Sequence, residues 1–261
     1  MRIDLTGKTA IVTASTKGIG LAAAKGFAAA GARVVINGRI QAGVDAALAE
    51  IRAGGGDARG VAADLSDLAG ARILTDAVPR ADILVNSVFH VAFADFLDLS
   101  DEDWNRTWET NVMTAVRLCR HYLPGMEKAG WGRVIFISSE SARNIQPQLM
   151  PYGATKLALH AVSRGLAKRV AGTGVTSNVV VPGPTLSDGI TRMLQPMVDA
   201  GMTLEDAGKA FVASHRASST IKRMATVDEV ASMIIYVASP QAAATNGCAL
   251  RCDGGVIDDV N

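Results

Sequence analysis

The chain has 261 residues with 26 basic and 25 acidic side chains, a formal charge of +1, which leaves no electrostatic footprint for nucleic acid or an anionic membrane. Its 49% hydrophobic composition is enough for a substantial core, yet no uninterrupted apolar run reaches the ~18 residues of a spanning helix. Three cysteines, Cys119, Cys248 and Cys252, lack the C-x-x-C spacing of a metal or redox site, so no metal is expected.

The opening residues show no charged, apolar, small-residue leader pattern and run into a hydrophobic strand, so a soluble cytoplasmic protein is expected. Short β-branched runs follow at Thr9 to Thr13, Arg33 to Ile36, Ala58 to Ala62, Ile83 to Val85, Val134 to Ile137, Thr176 to Val181 and Ala249 to Arg251. Between them, helix-compatible stretches cover 19–30, 41–53, 66–77, 102–129, 152–171 and 226–238, with glycines near their ends. Strand and helix in alternation predict an α/β fold, a doubly wound parallel sheet with helices on both faces. No linker or repeat divides the chain, which reads as one domain over 1–261. Residues 184–222 break the rhythm. Their spaced Met193, Leu194, Met197, Met202, Leu204 and Phe211 fit either a mobile flap at the carboxyl edge of the sheet or an ordinary pair of packed surface helices.

The first strand flows into Thr13-Ala14-Ser15-Thr16-Lys17-Gly18-Ile19-Gly20 and then a helix. Such a turn aims backbone N–H groups and the positive end of the helix dipole at a diphosphate. Alone, it also fits many ordinary turn–helix junctions. Strand two ends in Asn37-Gly38-Arg39, where an NAD-selective protein places a ribose-binding carboxylate. A guanidinium there favours a 2′-phosphate through charge-assisted fork contacts, with Lys17 as a second cation, so NADP(H) is preferred over NAD(H). Two solvated surface cations are the plain alternative.

Further on, Val134 to Ser139 sets a serine at a strand's carboxyl end, and Tyr152-Gly153-Ala154-Thr155-Lys156 follows. On a helix, positions i and i+4 share a face, so Lys156 stands beside the Tyr152 phenol. With these motifs in order (the glycine turn at 13–20, Asp64-Leu65, Asn86, Asn111, Ser139, Tyr152, Lys156, Pro182-Gly183), the chain resembles the short-chain dehydrogenase/reductase family along essentially its whole length.

The resemblance implies a Rossmann-like domain with about seven parallel strands, and hydride exchange between NADP(H) and a small alcohol/carbonyl pair. Tyr152 becomes the acid/base, its high phenol pKa lowered by Lys156 and the oxidised nicotinamide. Ser139 hydrogen-bonds the reacting oxygen, and Asn111 holds a water linking Lys156 to solvent. Thr13, Ser15 and Thr16 form the phosphate turn with Ile19 beneath the diphosphate; Asp64 and Leu65 meet the adenine and Asn86 the adenosine half. Lys156 also bonds the nicotinamide ribose, and Pro182, Gly183 and Ser187 approach the nicotinamide. A homotetramer or homodimer built on 102–129 and 152–171 is implied as well.

The chain departs from the family pattern in places. Ala14 replaces the first turn glycine at little cost if its backbone stays in an ordinary region, and Phe89 in Asn86-Ser87-Val88-Phe89 stands where glycine is common. Gly130 and Thr173 occupy positions that hold arginines in reductases of acyl-carrier-protein thioesters, so that 3-oxoacyl reductase activity ranks below a free small carbonyl. Phe89, Phe93, Ile145, Met150, Met193 and Met197 fit an apolar substrate pocket and fit core packing equally well. A catalytically silent NADP-binding sensor or scaffold has no need of the Tyr152–Lys156 pair, and Gly38-Arg39 disfavours a Rossmann-like methyltransferase.

Overall fold

The computed structural model describes residues 2–260; Met1 and Asn261, the ends of the expected 1–261 domain, lie outside them. The strands are β1 (Thr9–Val12), β2 (Arg33–Gly38), β3 (Ala58–Ala62), β4 (Ile83–Asn86), β5 (Gly132–Ile137), β6 (Val175–Pro182), the short β7 (Thr185–Leu186) and β8 (Ala225–Thr226), and β9 (Ala249–Cys252). Seven form one parallel sheet in the order β3-β2-β1-β4-β5-β6-β9. The order reverses between β1 and β4, which opens a crevice at the carboxyl ends of those two strands.

Side chains alternate faces along each strand, and the two faces bury separate cores. Ala10 and Val12 of β1 pack in the layer that holds α1 (Gly18–Ala29), α2 (Gln41–Ala53) and α9 (Val227–Ala238). Ile11 points the other way, toward α3 (Leu68–Ala77), α5 (Thr114–Ala129) and α6 (Met150–Arg169). Helix ends follow local chemistry. Asp67 caps α3 by accepting from the Gly70 N–H, Thr226 and Glu229 form a capping box on α9, and Gly130 ends α5 at φ 67°.

The stretch read as one helix over 102–129 is broken. α4 (Asp101–Trp108) passes into a π-helical turn over Glu109–Met113 before α5 begins. Tertiary bonds hold the wider turn: the Thr114 hydroxyl donates to the Leu65 carbonyl at 2.5 Å, and Asn111 is anchored from two sides, as described below. Helical periodicity does not reveal such a widened turn, which often marks a functional position.

Within 184–222 lie α7 (Asp188–Asp199) and α8 (Leu204–His215). They share a small core of Leu194, Ala207, Val212 and Met224, joined by Met197, Met202, Leu204 and Phe211. β7 pairs in parallel with β8, so the helix pair is closed at its base by a two-stranded clasp. Most of the apolar residues that suggested a substrate flap are therefore used by the pair itself, while Met193 remains exposed. Among the described residues no helix is long and apolar enough to cross a membrane.

Candidate active site

The phosphate turn is held from beneath by buried polar side chains. The Thr13 hydroxyl donates to the Val85 carbonyl and accepts from the Ser87 N–H at 2.8 Å, while the Ser15 hydroxyl donates to the Val12 carbonyl and accepts from the Asn37 N–H. Both residues are 0% exposed, so their side chains brace the turn and do not face the crevice. Asn37, which sequence reasoning passed over, receives the Ala14 N–H at its Oδ1 and donates to the Val61 and Ala63 carbonyls. A Cβ on Gly20 would stand 2.5 Å from the Ala14 carbonyl oxygen, which is why only glycine fits that approach. Ala14 itself lies at φ 49°, in the left-handed region, so the condition for a costless replacement of glycine is not met.

Lys17 and Arg39 are exposed at this edge, and their side chains make no hydrogen bond or ion pair among the described residues, leaving two cations beside the crevice. Asp64 is exposed beyond β3, whereas Leu65 is 1% exposed and offers only its backbone there. The Asn86 side chain turns inward, donating weakly toward Cys119 Sγ and the Ile135 carbonyl, with its Oδ1 buried and unpartnered among the described residues. Thr16 packs its methyl against Gly38, and Ile19 packs against the α1-side core. Across the crevice, Pro182 ends β6, and Gly183 lies so close to Asp253 that a Cβ would meet its carbonyl oxygen at 2.4 Å. Ser187 stands opposite Gly18. A turn rich in backbone donors, two unpaired cations and a gap bounded by glycines fits a dinucleotide with an extra phosphate.

Ser139 leaves β5 as the cap of a 3₁₀ turn over Glu140–Ala142, its hydroxyl accepting from the Ser141 N–H at 3.1 Å. Tyr152 comes from the first turn of α6 and Lys156 from the second, on one face. Desolvation pushes the Tyr152 phenol up to about 12, opposed by the neighbouring Ser139 hydroxyl and reinforced by the Glu140 charge. Lys156 is 2% exposed, donates to the Ile137 carbonyl at 2.9 Å and lies 5.5 Å from the Tyr152 ring centroid. Burial pulls its ammonium down to about 7. The protein alone therefore does not give the lowered phenol expected of Lys156, because desolvation costs both groups their charged forms.

Asn111 is brought to the site indirectly. Its Oδ1 accepts from the His90 N–H at 2.6 Å, and its Nδ2 donates to the His90 carbonyl and to the Thr155 hydroxyl. Both donors are thus spent on clamping the loop after β4 to α6, which leaves only acceptor positions for the expected water. Thr155 closes the chain by donating to the Tyr152 carbonyl.

Other neighbours carry little sequence signal. Phe89 is 61% exposed and sets its ring edge-to-face against Tyr152. The first residue of α7, Asp188, accepts the Gly18 N–H at 3.0 Å, so a carboxylate reaches the very turn that would face a diphosphate. Glu140 and Arg216 form a buried ion pair behind Ser139. Each contact spans at least 60 residues of chain, beyond the reach of local periodicity.

Comparison with known proteins agrees with this layout. The family model described as short chain dehydrogenase matches residues 8–197. The uncharacterized oxidoreductase YvrD of Bacillus subtilis is 41% identical over 261 residues, covering 98% of this chain and 99% of its own. D-beta-hydroxybutyrate dehydrogenase of Cupriavidus necator is 34% identical over 266 residues, covering 96% and 98%. The structure of L-sorbose reductase from Gluconobacter frateurii, complexed with NADPH and L-sorbose, superposes with a TM-score of 0.93 at 30% identity over 100% of both chains.

Proposed function

The chain belongs to the short chain dehydrogenase family and is an oxidoreductase of CH–OH donors using NAD(P), and from that premise we propose that it interconverts a small, mainly apolar ketone or aldehyde and its alcohol with NADP(H). The observation that carries this reading is the buried Lys156 ammonium 5.5 Å from the Tyr152 ring centroid, with Ser139 beside the same phenol. When bound, NADP(H) supplies or accepts the hydride. The glycine turn with Lys17 and Arg39 holds the phosphates, and Pro182, Gly183 and Ser187 bound the nicotinamide end.

A phenol with its pKa near 12 carries its proton throughout the neutral range, which suits Tyr152 as the acid that protonates the carbonyl oxygen. Ser139 donates to the same oxygen and stabilises its developing charge. In oxidation Tyr152 takes the proton back, and a charged Lys156 beside the ring favours the phenolate that this needs. Phe89, Phe93, Ile145 and Met193, all substantially exposed, give the apolar lining. The structural relative with NADPH and L-sorbose supports the choice of cofactor, and the unpaired Arg39 is its local reason.

We read the whole chain as one cytoplasmic domain in which α7 and α8 cover the substrate. The exposed Trp108 and Leu157 on α4 and α6 support assembly through those helices into a homodimer or homotetramer. The test is a panel of carbonyls (L-sorbose, acetoacetate, ethyl acetoacetate, cyclohexanone and benzaldehyde) scored by loss of NADPH absorbance, with the matching alcohols and NADP⁺ in reverse. Turnover of ethyl acetoacetate, cyclohexanone or benzaldehyde is expected; turnover of L-sorbose alone, or none in either direction, overturns the reading.

A further inference from the structure

Directly after Ser139 the chain buries an acid. Glu140 is 4% exposed and meets Arg216, 7% exposed, which follows the last residue of α8. Arg216 Nη2 and Nε stand 2.7 and 2.8 Å from the same Glu140 oxygen, Oε1. Its Nη1 donates to the His215 carbonyl at 2.8 Å, and the Gln146 amide, with its oxygen turned inward, accepts from the same guanidinium. Every other ion pair among the described residues has at least one partner substantially more exposed. Two desolvated charges are a poor source of stability, and what such a pair fixes best is the relation between the elements that carry it. Here those elements are the turn that presents Ser139 and the helix pair of 184–222.

We propose that Arg216 is a positioning residue: by gripping Glu140 it fastens α7 and α8 to the Ser139 turn, so that the proton-transfer site is assembled only with the covering helices docked. This rests on the oxidoreductase reading of Ser139 and Tyr152. The pair also sets a local field. Glu140 faces Arg216 just after α8, Ser141 in its own turn and Asp253 after β9. Tyr152 faces Ser139 and Glu140 from the turn, Lys156 from its own helix and the Phe89 ring from the loop after β4. Removing the guanidinium leaves an uncompensated carboxylate near the phenol, and removing the carboxylate relieves it. The two single variants therefore shift the proton equilibrium of Tyr152 in opposite directions.

The experiment uses the full chain as Arg216→Met, Arg216→Lys and Glu140→Gln, and reads three quantities. In Arg216→Met, amide hydrogen exchange rises together in 139–143 and 204–215 and not in α1, and NADPH binding stays within about twofold while kcat on the panel carbonyl that the wild type reduces falls about tenfold or more with little change in KM. The alkaline limb of alcohol oxidation moves to higher pH in Arg216→Met and to lower pH in Glu140→Gln. Arg216→Lys recovers most of the exchange protection, because it keeps the charge while losing the fork. Exchange rising in α8 alone, an unchanged kcat, or both limbs moving the same way overturns the proposal. Should Arg216→Met fail to fold, Glu140→Gln and Arg216→Lys carry the test: Glu140→Gln must raise exchange in both segments and lower the limb, and an Arg216→Lys variant no better protected than Glu140→Gln counts against the grip. A wild type inert toward the whole panel would sink the functional reading instead, and the exchange data would still decide whether the two segments are tied.

Discussion

The ring of Phe89 stands 6.4 Å from that of Tyr152 at an interplanar angle of 68°, and the Lys156 ammonium lies 5.7 Å from the Phe89 centroid. One exposed side chain thus helps keep water from both proton-transferring groups. Desolvation is the leading cause of the shift in each, upward for the phenol and downward for the ammonium. Phe89→Ala is expected to let both return toward their ordinary values, so ionisation of Tyr152 begins at lower pH. With three tyrosines in the chain, subtracting the tyrosinate spectrum of the same variant carrying Tyr152→Phe isolates the step. An unchanged onset would show that Phe89 does not shield the pair.

Tyr152→Phe removes the proton donor and leaves the ring in place. Turnover of the carbonyl panel is expected to fall by roughly 10² to 10⁴, the usual worth of a positioned general acid. NADPH binding, followed by nicotinamide fluorescence, should persist, since Lys17, Arg39 and the glycine turn are untouched. A variant that reduces carbonyls at the wild-type rate would remove Tyr152 from the mechanism.

The pH dependence follows from the same phenol. Because its pKa is raised to about 12, the acid form needed for reduction is present at neutral pH and is lost only as pH climbs toward that value. Reduction is therefore expected to hold through neutral pH and fall on the alkaline side, while oxidation, which needs the phenolate, rises with pH. Initial rates in both directions across one buffer series check the opposite slopes; parallel slopes would point to another group.

The sheet was legible because each strand announces itself locally: β-branched runs at Thr9–Val12, Arg33–Gly38 and Val175–Pro182 alternate with helices that begin and end at glycines or caps. Tyr152 and Lys156 were legible because i and i+4 share a helix face. Asn37, Asp188 and Arg216 were not, since each acts through a contact whose partner lies far along the chain. The π turn at Asn111 was hidden for a related reason: tertiary bonds to His90, Thr155 and Leu65 sustain it, and the helical pattern on either side stays in register.

Exchanging the Arg39 guanidinium for a carboxylate tests the cofactor choice. Arg39→Asp should weaken NADPH by about tenfold or more, the scale of one lost charge-assisted contact, while NADH loses far less. Dissociation constants for both cofactors, measured at one ionic strength, give the ratio. Equal losses would mean that Arg39 does not read the 2′-phosphate.

Asp188 puts a negative charge on the Gly18 N–H at the start of α1. A carboxylate there competes with a diphosphate for the helix terminus and repels it, so Asp188→Asn is expected to tighten NADPH binding severalfold. The same change removes a favourable charge–dipole contact of about 0.3–1 kcal/mol and should slightly lower stability without cofactor. Weaker NADPH binding in Asp188→Asn would show that the carboxylate acts as a clasp over the cleft and not as a competitor.

Ala14, held at φ 49°, tests how the turn bears a side chain where glycine would be relaxed. The left-handed region costs a residue with a Cβ roughly 1–2 kcal/mol, and glycine's greater freedom in the unfolded chain takes back about 0.4–1 kcal/mol. The first effect is the larger, so Ala14→Gly should raise the urea midpoint by a small margin with an unchanged slope. Ala14→Val should lower it by more, because a β-branched residue fits the region worst. The Ala14 N–H bond to Asn37 and the contact with Gly20 keep the turn in this conformation, so it has little room to relax around the larger side chain. A midpoint order other than glycine, alanine, valine would mean that the strain at position 14 is carried elsewhere in the turn.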